Sequence, residues 1–118
     1  MSIFHDQYQF LKAADADVGT LEAEKLAEKL VIEESVEFLE AECETPHKIK
    51  ECLDLIYVCA QYINSTIGPD LGVKCWDALQ ANNMSKCIDG KLVKRDDGKV
   101  LKPEGYKPLD LTEVLKIG

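Results

Sequence analysis

Apolar residues recur at helical spacing through the first two-thirds of the chain, and turn residues replace that period after Lys86. Ser2 stands as N-cap to a first helix over about residues 3–15, with Ile3, Phe4, Phe10 and Leu11 as its apolar positions. The stretch from Asp15 to Thr20 reads as a loop, and Thr20 caps a long second helix from Leu21 to about Cys43. Thr45-Pro46 restarts the chain, the threonine as cap and the proline at the first helical position. A third helix then runs from Pro46 to about Thr66 and stops at Gly68-Pro69. Asp70 is placed to cap a fourth helix over about Leu71 to Ser85. Beyond it, Asp89-Gly90 and Asp97-Gly98 are turn signals. Leu92-Val93 and Val100-Leu101 flank the second of these as a small β-hairpin, and Leu111 to Lys116 reads as a last helical turn.

The expected architecture is therefore all-α: a four-helix, bundle-like single domain over 1–118, helical over 1–86 and irregular over 87–118. With 46% apolar and 31% charged residues, the composition is that of a globular chain. The formal charge of −8 argues against coating DNA or RNA. That charge is uneven, with 6 basic and 16 acidic residues in 1–85 against 8 and 6 in 86–118. No apolar run reaches the roughly 18 residues of a membrane helix, and His5 and Asp6 interrupt the first apolar stretch, unlike a signal peptide. The five cysteines form no CxxC pair, which disfavours a disulfide framework or structural zinc. Cys52 and Cys59 read as small core residues in a reducing cytosol, so a cytoplasmic protein without membrane or nucleic-acid partners is expected.

The second helix carries acids where a core belongs. With Glu34 at zero on the helical wheel, Ala23, Ala27, Leu30, Glu37, Phe38 and Ala41 fall within about 60° of it. Glu33 lies at the edge of that stripe, and Glu22, Glu28, Glu40 and Glu42 lie outside it. The third helix repeats the anomaly, because Glu51 and Asp54 share the face of Leu55, Val58 and Tyr62. Unpaired carboxylates on an apolar face are costly.

The turn at Thr45-Pro46 makes these two helices an antiparallel pair. Glu37 then lies about 12 Å from the turn, and Glu51 and Asp54 about 9 and 13–14 Å from it. Four level carboxylates, with no Lys or Arg expected among them, call for a hard divalent cation with oxygen ligands. Mg²⁺ fits best, with Mn²⁺ as a substitute. A ferritin-like di-iron site would need Glu-x-x-His, and neither His5 nor His47 follows a glutamate at that spacing. His47, at the turn, reads as solvent-facing.

The stretch Leu53 to Ile63, LDLIYVCAQYI, is apolar almost all round, with Cys52, Ile56, Cys59 and Ile63 forming a second stripe away from the acids. One neighbouring helix cannot cover both faces. A homo-oligomer, a homodimer or a dimer of dimers, is the economical arrangement.

Glu33-Glu34-Ser35-Val36-Glu37 followed by Glu51-Cys52-Leu53-Asp54 resembles the paired EExxE and ExxD motifs of the all-α nucleoside triphosphate pyrophosphohydrolases, the MazG-like and phosphoribosyl-ATP pyrophosphohydrolase-like group. Asn82-Asn83-Met84-Ser85-Lys86 and the DGKLVKRDDGKVLKPEGYKPLDL segment look like one branch of that group, so the resemblance spans about Phe4 to Leu115. The first helix departs from it, with Leu11 where related sequences often place a histidine.

The resemblance implies a MazG-type bundle that hydrolyses a nucleoside triphosphate to the monophosphate and pyrophosphate, in nucleotide-pool cleansing. It implies Glu34, Glu37, Glu51 and Asp54 as Mg²⁺ ligands. Glu33, Glu34 and Glu37 become the catalytic acids, Glu33 activating water or holding a second ion. Asn83, Lys86 and Tyr106 become substrate contacts. Read as plain structure, Asn83 caps a fraying helix end, Lys86 is a solvated tail residue and Tyr106 rests on the core. Phosphoribosyl-ATP hydrolysis and a non-catalytic helical nucleotide-sensing module are the alternatives.

Overall fold

The structure, a computed structural model, describes residues 2–116. Its helices are α1 (Ile3–Ala13), α2 (Leu21–Glu40), α3 (Pro46–Thr66), α4 (Pro69–Met84) and a single turn, α5 (Thr112–Leu115). Among the described residues no strand forms, so the fold is all-α. The chain divides into two compact units, Met1–Val73 and Lys74–Gly118. No helix among the described residues is long and apolar enough to cross a membrane.

In the first unit the expected caps form. Ser2 Oγ accepts from the His5 amide at 3.2 Å, Thr20 Oγ1 from Ala23 at 3.1 Å and Thr45 Oγ1 from Lys48 at 3.1 Å. Each satisfies an amide left without a helical partner. Glu22 and Glu24 add negative charge to the first turn of α2, where the helix dipole favours it.

Two boundaries differ from the sequence expectation. α2 ends at Glu40, three residues before Cys43. Ala41 turns extended, Glu44 takes a left-handed φ of 63°, and the Lys48 ammonium bonds the Phe38 carbonyl near the helix end. At the start of α4, Asp70 lies inside the first turn and is not the cap. Gly68, at φ 82°, supplies the carbonyl that accepts from Gly72 at 3.0 Å, and Pro69 takes the first helical position. The Asp70 carboxylate meets His5 Nε2 at 2.9 Å instead.

The stripe on α2 is visible as packing. Ala27 is fully buried, and Ala23, Leu30, Glu34, Phe38 and Ala41 are half-buried. α2 packs on α3, and α1 crosses α3. Phe4, Leu11 and Ala60 complete the buried apolar set. Leu11 is thus a core residue. Phe10 meets Tyr57 edge to face, with centroids 5.8 Å apart.

Gly72 marks the closest approach. A Cβ there would stand 3.1 Å from Ile63 Cγ2 and 3.2 Å from the Phe4 ring. Gly72→Leu should therefore destabilise the fold by about 1–3 kcal/mol, read as a lower denaturation midpoint with an unchanged denaturant slope. An unaltered midpoint would show that Phe4 is not held against α4.

Two expectations fail in physical detail. Cys59 is exposed, not core, although Cys52 and Ile63 of the same stripe are half-buried. In the second unit the hairpin never becomes two strands. Leu101 donates to the Val93 carbonyl at 2.7 Å and Arg95 to the Lys99 carbonyl at 2.8 Å, around a turn at Gly98 (φ 88°). Only isolated bridges result, Lys94 with Val100 and Ile88 with Lys91. Two short pairings with little apolar surface behind them do not extend into a ladder.

Candidate functional site

Glu34 and Glu37 stand three apart on α2, so one face presents both. Antiparallel packing brings Glu51 of α3 level with them. One carboxylate oxygen from each of the three lies within 4.8 Å of the other two. Glu51 is 4% exposed. Its Oε2 and Oε2 of Glu34 are buried with no hydrogen-bond partner. An orphaned carboxylate oxygen in a buried position is expensive unless a cation reaches it. Oxygen donors at this separation suit a hard divalent cation.

The three acids perturb one another. Glu37 takes up its proton above its ordinary value of 4.5, first because it hydrogen-bonds Glu34 and feels its charge, then through burial and Glu51. Two like charges at short range favour protonation of one of them.

The remaining acids are placed differently. Asp54 is not part of the triad. Its Oδ2 pairs with Lys50 Nζ at 2.7 Å, one helical turn back, and Lys50 also reaches Glu51 Oε1 at 3.4 Å. The expectation of acids with no lysine among them is therefore corrected. Both carboxylates push the Lys50 ammonium up to about 12, Asp54 more strongly than Glu51. Glu33 is exposed on α2, beside Glu34 but outside the triad. His47, read as solvent-facing, is 66% exposed yet lies 3.7 Å from Glu51 Oε1. Both contacts follow the i,i+4 rule and were readable from spacing alone. An open cleft of about 490 Å³, lined by Glu37, Glu40, Glu42, His47, Lys50 and Glu51, gives access to the triad.

The second unit gathers the three other candidate residues. Asn82 is the bracket, donating from Nδ2 to the Lys107 carbonyl at 2.8 Å and accepting from the Tyr106 hydroxyl at 2.7 Å. Tyr106 is thus committed to holding residues 103–110 against the end of α4. Its ring carries two cations, Lys86 Nζ and Lys102 Nζ, each 5.6 Å from the centroid. Lys86 also donates to Asn83 Oδ1 at 3.4 Å. Asn82 itself was not among the candidates, and its partners 24 and 25 residues away leave no local signal. A cleft of about 700 Å³ runs between this strap and α4.

No protein-family model matches the chain, and comparison with curated proteins gives no significant match.

Proposed function

We propose that the chain is a Mg²⁺-dependent nucleoside triphosphate pyrophosphohydrolase with a MazG-type helical bundle. The observation that carries this reading is the Glu34–Glu37–Glu51 triad with its two buried, unpartnered oxygens. The motif resemblance supplies the reaction class, and the geometry fits a group the motif would hold.

Glu34, Glu37 and Glu51 would hold the ion, with Asp54 joining them if it leaves Lys50. Mg²⁺ (or Mn²⁺) held there would supply Lewis-acid polarisation of a phosphoryl oxygen and positive charge against the leaving pyrophosphate. Glu33, exposed next to the triad, accepts a proton from the attacking water. Asn83 and Lys86 contribute an amide and a point charge suited to phosphate oxygens. Tyr106 positions them through Asn82 and its cation-bearing ring. Purified protein supplied with the common ribo- and deoxyribonucleoside triphosphates and Mg²⁺ should release pyrophosphate. Release from none of them would remove the reading.

The same proposal includes self-association. Leu53 (59% exposed), Ile56 (43%) and Tyr57 (40%) lie on α3, the helix with two apolar faces. Ile56→Asp should convert a dimer or dimer of dimers into monomer or aggregate, because it buries an unpaired charge in the interface. Sedimentation of the unsubstituted protein as a stable monomer at micromolar concentration would contradict this.

A further inference from the structure

The first unit holds a second polar anomaly, away from the acids. Gln7 is fully buried, Asn64 is 2% exposed and Ser65 1% exposed, beside the buried apolar side chains Phe4, Leu11, Ala27 and Ala60. Three amides of this unit are wired in series. Asn64 Nδ2 donates to the Phe4 carbonyl and to Gln7 Oε1, both at 2.8 Å. Gln7 Nε2 in turn donates to Gln61 Oε1 at 3.4 Å.

The polarity of this relay is not arbitrary. An amide side chain can be turned end for end, but a backbone carbonyl only accepts. The Phe4 carbonyl therefore fixes the Asn64 amide, Asn64 fixes Gln7, and Gln7 fixes Gln61. The relay ends by committing Gln61 Oε1 inward and leaving the Gln61 N–H groups to point away from it. Asn64 Oδ1 remains buried without a partner, a cost the fold bears to keep the relay in this sense.

Gln61 and Ser65 border a cleft of about 280 Å³ between the α1–α2 loop, α2 and α3. Leu11, Ala16, Ala23 and Leu26 give it apolar wall, and Asp17, Thr20 and Glu22 complete it with polar groups towards the loop. The cleft and two of the triad acids lie along the same face of α2. On α3, Gln61 follows Asp54 by seven residues, two turns and about 10 Å along one face. On α2, Ala23 and Leu26 precede Glu34 and Glu37 by eleven residues, again one face and about 16 Å. A partly apolar cleft with a fixed donor, on the α2 face that about 16 Å further on carries Glu34 and Glu37, matches the two ends of an extended nucleotide.

The geometry points to Gln61 as the residue that reads the base: it donates a hydrogen bond to an acceptor on the edge of a nucleobase seated in this cleft. This rests on the triphosphate reaction proposed above. The amide relay gives Gln61 a preset direction, so the base meets a donor already oriented, which favours bases that present an acceptor there.

The test uses the full chain with Mg²⁺ and two probes, inorganic triphosphate, which has no base, and the panel of common nucleoside triphosphates. Gln61 is only partly buried, so Gln61→Leu and Gln61→Glu should fold, which thermal melting checks. Gln61→Leu should lower kcat/KM about tenfold on the best nucleotide, through KM, and flatten the spread across bases. Gln61→Glu replaces the donor by an acceptor and should change the order of preference. The affinity for inorganic triphosphate should be unchanged in both. An unaltered ranking in both variants overturns the role of Gln61 and leaves the acid site standing. A parallel loss of inorganic triphosphate affinity also overturns it, since Gln61 would then be supporting the fold of the acid site as well. If the unsubstituted protein neither binds inorganic triphosphate nor hydrolyses any nucleotide, the reaction and this inference fall together.

Discussion

Glu51→Gln should abolish turnover and, in the same protein, raise the melting temperature measured without metal. Glu51 sits at the bottom of the triad, with Oε2 buried and unpartnered. Replacing the carboxylate by an amide would remove a ligand of the proposed ion, and a loss of several kcal/mol of charge stabilisation would slow the reaction by more than about 10³-fold. The same change removes one of three converging negative charges and gives Glu34 and Glu37 a donor. For a chain of this size each kcal/mol of relieved repulsion raises the melting temperature by about 4 °C. A residue that merely packs would behave differently, since its substitution lowers both quantities. Full activity in Glu51→Gln would remove the proposed metal centre.

The same cluster sets the response to pH. Glu37 holds its proton above 4.5 in the folded chain, mainly because Glu34 hydrogen-bonds it. Folding then favours the protonated form. The stabilising effect is complete below the ordinary carboxylate value and is lost as pH rises through the raised one. Metal-free protein should therefore melt higher as pH falls from neutrality into that window. Glu37→Gln should flatten the slope there.

Much of this arrangement is legible from the amino-acid sequence, because it depends on local rules. Ser2, Thr20 and Thr45 each precede a helical period and each caps a helix, as the chemistry of a side-chain acceptor demands. The level placement of Glu37 and Glu51 follows from a short turn and a constant rise per residue, and the two lie in one cluster. Asp54 departs because Lys50 stands at the preceding turn, a competition that helix wheels show once charges are paired as well as faces. The end of α2 depends on Lys48 reaching a carbonyl ten residues away, and the start of α4 on Asp70 meeting His5. The Asn82 bracket and the amide relay depend on partners 24 to 60 residues away. Those contacts have no period and no spacing signature, so only the folded chain reveals them.

Glu33→Gln should slow turnover by about 10²–10⁴-fold, the range for loss of a general base, while leaving KM for the nucleotide nearly unchanged. Glu33 is exposed and lies outside the triad, so its loss takes no ligand from the proposed ion. What it removes is a proton acceptor beside the acids. In the proposed step, a water oxygen forms a bond to the α phosphorus and its proton passes to Glu33. The bond from the α phosphorus to the bridging oxygen breaks, and pyrophosphate leaves with that electron pair. Reaction in ¹⁸O-labelled water reads the point of attack directly. Label in the nucleoside monophosphate supports attack at the α phosphorus, label in pyrophosphate means attack at β, and release of orthophosphate means a different phosphohydrolase. Glu33→Asp keeps the carboxylate but shortens its reach, so partial recovery of rate with unchanged label position distinguishes a proton acceptor from a residue that only tunes the charge of the groove.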